Sequence, residues 1–122
     1  MDETLPEIQH IVDLFKGRED VFALRWEKRS KSGYGPAYHF DSEDYRLHKQ
    51  GDDTFKSYPH KSHLPLSEKE IQTHLDGSQQ IGIYPLLTDN TTGFLIADFD
   101  NDNWQKQAGA FLNICKDKNI PA

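Results

Sequence analysis

This sequence is poor in sulfur and in apolar residues: one cysteine and one methionine stand among 122 residues, and apolar types make up 35%. The single Cys115 excludes an internal disulfide and fits a reducing cytoplasm. No run approaches the ~20 apolar residues of a membrane span. The charged N-terminus carries no apolar core of a signal peptide. A mean hydropathy of −0.80 calls for a modest core, or one completed by more protein. The net charge of −6 argues against whole-surface attraction to nucleic acid, but a local basic patch remains open. The shortage of cysteine also bears on His48, His60 and His63. Zinc sites want four tightly spaced ligands, often with thiolates, so these histidines read as surface or loop residues.

What is present centres on FLIADFD, residues 94–100, followed by Asn101-Asp102-Asn103. Five of its seven residues are apolar, which predicts a strand covered on both faces and ending in two carboxylates. Residues i and i+2 of a strand share a face, so Asp98 and Asp100 would project together with Cβ atoms about 6.5–7 Å apart. Such a pair can hold one divalent ion, or bridge two about 3.5–4 Å apart. Without a cation the two charges repel. The plainer alternative is that the aspartates open the next turn and cap the next helix.

Three helices are expected, over 4–16, 67–76 and 102–118. The first has a Thr4/Glu7 capping box, a stripe of Ile8, Ile11, Val12 and Phe15, and Gly17 as its stop. The second has a Ser67/Glu70 box, Leu66 stapled on Ile71, and Gly77 as its stop. The third carries Trp104, Ala108, Phe111, Leu112 and Cys115 on one stripe, and its N-terminus could assist a phosphate beside Asp100. Residues 81–87 read as a strand, with Pro85 near its end, joined to 94–100 by a hairpin loop over 88–93. Residues 38–63 show little periodicity beyond a turn at Gly51-Asp52-Asp53.

Charge is segregated in the segment 16–38. Lysines and arginines at 16, 18, 25, 28, 29 and 31 outnumber acids at 19, 20 and 27 by three. Val21 to Glu27 is β-prone, with Phe22, Leu24 and Trp26 on one face and Val21, Ala23 and Arg25 on the other, and Gly33, Gly35 and Pro36 read as a turn. Arg18, Arg25, Lys28, Arg29 and Lys31 beside Trp26, Tyr34 and Tyr38 could hold a phosphate backbone and stack bases. A solvated hairpin with ordinary surface lysines is the alternative.

The blocks LFKGREDVFALRW, SGYGPAYHF, LPLSEKEIQTHLDG and IGIYPLLTDNTTGFLIADFD, with the NW that follows, resemble the archaeo-eukaryotic primase superfamily. The resemblance is to the branch fused to helicase and nuclease domains in bacterial conflict systems of the TOTE type, and it is weakest over 41–63, where some relatives carry a cysteine cluster. It implies a primase-polymerase core that joins nucleoside triphosphates on a nucleic-acid template with Mg²⁺ or Mn²⁺. The first motif of that superfamily, two acids separated by one residue at the end of an apolar strand, falls on Asp98 and Asp100 as metal ligands. Its second motif, a Ser-x-His for the nucleotide phosphates, and its third, another acid, have no counterpart here. The resemblance therefore implies the N-terminal part of a domain that continues past Ala122, inactive alone.

The expected fold is α/β (α+β): a small, mainly antiparallel sheet packed with about three helices. Two other functions stay open, a non-catalytic nucleic-acid-binding module and a metal-dependent nuclease component of a conflict system.

Overall fold

A computed structural model describes residues 5–51 and 54–122. Among these the order is α1 (Pro6–Leu14), β1 (Ala23–Lys28), β2 (Lys31–Pro36), β3 (Tyr38–Phe40), α2 (Ser42–Lys49), β4 (Lys61–His63), α3 (Glu68–Leu75), β5 (Ile81–Gly82) and α4 (Trp104–Asp117). The fold is α+β, with an antiparallel sheet ordered β2-β1-β5 and a second antiparallel pair, β3-β4.

The β1–β2 hairpin is longer than the sequence reading allows. Gly33, Gly35 and Pro36 are not a turn; they lie inside β2, and the reversal falls at Arg29-Ser30, where Arg29 takes a left-handed φ of 56°. The glycines serve the strand across from them. Trp26 is paired with Gly33, and a Cβ at position 33 would lie 3.0 Å from the indole Cζ2. Glycine here makes room for a ring, the strand use of glycine at a close approach.

Ala37 joins the two sheets. Its N–H donates to the Phe22 carbonyl at 3.0 Å, its carbonyl accepts from Leu64 N–H at 2.9 Å, and its side chain is buried. Beyond it, residues 38–63 form a small aromatic core that periodicity did not reveal. Tyr38, Phe40, Tyr45, Phe55 and Tyr58 meet edge to face at centroid distances of 5.0 to 6.4 Å, with Phe55 and Tyr58 stacked at 6.2 Å. Lys61 lies 4.7 Å over the Phe55 ring and donates to the carbonyls of Phe55 and Lys56. The unexpected α2 is capped by Asp41, whose carboxylate accepts from Asp44 N–H at 2.8 Å. The expected turn at Gly51-Asp52-Asp53 has its two aspartates outside the described residues.

Of the two glycines expected to stop helices, one does so. Gly77 is left-handed, φ 82°, and ends α3, whose Ser67 N–H donates to the Glu70 carboxylate at 3.2 Å. Gly17 is not such a stop. The cap of α1 is Phe15, and a Cβ at position 17 would lie 2.6 Å from the Tyr84 carbonyl oxygen, so glycine is required by close packing of chain on chain. The start of α1 has Leu5 as its cap, with Pro6 in the first turn; Thr4 of the expected capping box lies outside the described residues. At the far end, α4 closes in a Schellman motif: Asn119 is left-handed at φ 55°, and the Ile120 and Asn119 amides donate to the carbonyls of Cys115 and Lys116.

The expected hairpin of 81–87 with 94–100 is not formed. Only Ile81 and Gly82 pair, and they pair with β1; residues 94–100 have no ladder, with Leu95 90% and Ile96 76% exposed. The turn between them is present, closed by Leu87 N–H on Thr91 O at 2.9 Å. Its arms are held by the end of α1 instead. The Tyr84 carbonyl accepts from Arg18 N–H at 2.9 Å, Gly93 lies against Lys16, and Phe94 packs on Phe15 at 5.7 Å. Pro85 also removes one donor a ladder would use. The stripe on α4 is likewise mostly open: Cys115 is buried, while Trp104, Phe111 and Leu112 are exposed.

Candidate metal centre and nucleic-acid interface

Asp98 and Asp100 lie in the extended approach to α4, both exposed. Between them, Phe99 is half-buried and its ring sits 5.6 Å from that of Phe111. The middle residue is thus held against the helix while the carboxylates on either side of it face solvent. At the turn into α4, Trp104 N–H donates to Asn101 O at 2.9 Å; the helix has no side-chain cap and no acid in its first turn.

The donor set consists of hard carboxylate oxygens, the type that Mg²⁺ and Mn²⁺ take, and Mg²⁺ commonly binds through one or two carboxylates with water and phosphate completing its shell. Asp98 and Asp100 fit that partial role. Among the described residues no group of three His, Cys, Asp or Glu side chains converges on one point. The histidines are engaged elsewhere: His60 Nδ1 is 2.9 Å from Asp44 Oδ2, His48 Nε2 is 3.3 Å from Ser57 Oγ, and the His63 ring packs against Tyr38 at 5.0 Å.

The cluster around Asp44 has no place in the sequence reading. Tyr58, 2% exposed, donates its hydroxyl to Asp44 Oδ2 at 2.5 Å. That bond, with His60 beside it, holds the Asp44 carboxyl below its ordinary range, while burial and the same bond push the Tyr58 phenol up to about 12. The acids at 41, 43 and 44 ahead of Arg46, His48 and Lys49 were a readable sign of α2. The partnership of residues 44, 58 and 60 was not readable, because spacing in a loop does not encode which side chains meet.

The basic segment divides in two. Strand register puts Leu24, Trp26 and Lys28 on the face shared with Lys31, Gly33 and Gly35, and puts Arg25 and Glu27 on the opposite face with Ser32 and Tyr34. Arg25 pairs with Glu27 at 3.0 Å and lies 5.9 Å from the Tyr34 ring centre. Arg18, before β1, makes a two-point pair with Asp20 at 2.5 and 2.9 Å, which holds Asp20 below the usual carboxylate range. No ion pair among the described residues engages Lys28, Arg29 or Lys31. The structure therefore gathers Lys28, Arg29 and Lys31 at the hairpin tip with Trp26, and separates them from Arg25, Tyr34 and Arg18.

No curated protein and no solved structure matches this sequence. A family model does: the archaeo-eukaryotic primase domain of TOTE conflict systems, over residues 6–122. The chain belongs to that primase-domain family.

Proposed function

We propose that this chain is part of a primase-polymerase that joins nucleoside triphosphates on a nucleic-acid template, with Asp98 and Asp100 as two of its metal ligands. Besides the family, the observation that carries this reading is the placement of the pair: two exposed carboxylates flanking an anchored phenylalanine, just ahead of a helix whose first turn holds no acid. A bound Mg²⁺ or Mn²⁺ would supply charge neutralisation for the reacting phosphates. The role of Asp98 and Asp100 is to fix where that charge sits, and the N-terminus of α4, which has no side-chain cap, favours an anion. Lys28, Arg29 and Lys31 meet the nucleic acid, with Arg18, Arg25 and Tyr34 as a second region whose guanidinium groups are already neutralised.

Among the described residues no third ligand joins Asp98 and Asp100, so we further propose that the chain needs additional primase sequence to act, with helicase and nuclease modules as associated partners. Template-dependent incorporation by this chain alone would disprove that. The metal assignment is tested by Mn²⁺ titration of ¹⁵N-labelled protein. Broadening centred on residues 97–102 and lost in Asp98→Asn/Asp100→Asn supports it; broadening spread over all acidic patches and unchanged in the double variant refutes it.

A further inference from the structure

We propose that the outer face of the β1–β2 hairpin tip stacks one base of a single-stranded nucleic acid on Trp26, with Lys28 and Lys31 on the adjoining phosphates. This rests on reading the hairpin as the nucleic-acid contact, and it adds which residue takes the base and which two take the phosphates.

The indole lies along β2 over two glycines. A Cβ at Gly33 would come within 3.0 Å of Cζ2 and 3.2 Å of Cε2, and one at Gly35 within 4.0 Å of Cδ1 and Nε1. One side of the ring is thus packed on backbone, and the residue remains 46% exposed. Glycine at both positions weakens a strand interior. Here it leaves a flat aromatic surface backed by the strand and partly open to solvent, which is the form of a stacking platform.

The charges around the ring point the same way. Lys28 and Lys31 are direct cross-strand partners on Trp26's face, and like charges directly opposite are unfavourable unless an anion lies between them. Arg29 adds a third cation at the turn. The acid nearest in sequence, Glu27, faces the other way and is bound to Arg25. A shallow cavity of about 430 Å³ is lined by Trp26, Lys28, Arg29, Ser30 and Lys31. Cations beside an exposed indole match a phosphate beside an unstacked base. In a duplex the base faces are already covered by their neighbours, so the platform selects single strands.

The chain has two tryptophans, so Trp104→Phe leaves Trp26 as the sole indole and keeps the hairpin intact. That protein is titrated with a short oligothymidylate and with a blunt duplex of equal length. Saturable quenching by the single strand, and little by the duplex, is expected. Trp26→Ala should weaken single-strand affinity about 10-fold, and Trp26→Phe much less. If quenching is absent while Lys28→Gln/Lys31→Gln still weakens binding, the stacking assignment is overturned and the hairpin remains a phosphate contact. If the lysine pair changes nothing, both readings fall. Equal quenching by duplex overturns the single-strand selectivity.

Discussion

Phe99 packs against Phe111 with ring centres 5.6 Å apart, and this holds the residue between two exposed aspartates to the flank of α4. Phe99→Ala should therefore loosen the acidic segment without removing a carboxylate. An aromatic pair of this kind contributes about 1 kcal/mol beyond its buried area. Urea unfolding should show a loss larger than that, because the substitution removes buried area as well, and Mn²⁺ broadening over 97–102 should weaken although both aspartates remain. Undiminished broadening would mean that the phenylalanine plays no part in aiming them.

The hydroxyl of Tyr58 gives a prediction at both ends of the pH scale. Its folded pKa is raised from the ordinary 10.0 to about 12, so the stability it contributes is complete below pH 10 and is lost as pH rises through about 12. Asp44 runs the other way. Its folded pKa is depressed, so its contribution is present above the ordinary 3.8 and is lost as pH falls through the lower folded value. Tyr58→Phe should lower the melting temperature at neutral pH and remove a phenol titrating at about 12 from an alkaline absorbance titration. A titration unchanged by the substitution would contradict the assignment.

Three glycine-to-alanine changes should have three different results. Gly17→Ala drives a Cβ into the Tyr84 carbonyl, and overpacking of that kind costs about 1–3 kcal/mol. Gly77→Ala forces a left-handed φ of 82° on a residue with open space around it, at a cost of about 1 kcal/mol. Gly109, inside α4, has nothing within 4 Å, and alanine there should stabilise by about 0.5–1 kcal/mol. Thermal denaturation of the three proteins checks the order.

The separation of the basic residues can be measured as a salt dependence. Lys28→Gln should make the logarithmic salt slope for single-strand binding shallower by about 0.7, the value for one phosphate no longer neutralised. Arg18→Gln should leave the slope nearly unchanged, because the guanidinium is already neutralised by Asp20. Equal effects from both would mean that the ion pair opens on binding.

The elements that the sequence made legible are those with local signals. The Ser67/Glu70 box, the left-handed Gly77 and the existence of α4 each follow from residues within a few turns of each other, although most of the α4 stripe stays exposed. The i, i+2 argument for Asp98 and Asp100 assumed a strand, and residues 94–100 form none. What misled were signals whose meaning depends on a partner. An apolar run such as FLIADFD becomes a strand only beside another strand, and here the neighbouring arm is tied at Tyr84 to Arg18 while the run's own Phe94 packs on Phe15. Gly33 and Gly35 look like a turn until Trp26 is known to lie across from them. The Asp44, Tyr58 and His60 cluster links residues as many as 16 apart through a loop, beyond what periodicity reports.

Ala37 has both backbone hydrogen-bonding groups committed, one to Phe22 just ahead of β1 and one to Leu64 just after β4, and its side chain is buried. This one residue thereby sets the spacing between the chain that enters β1 and the chain that leaves β4.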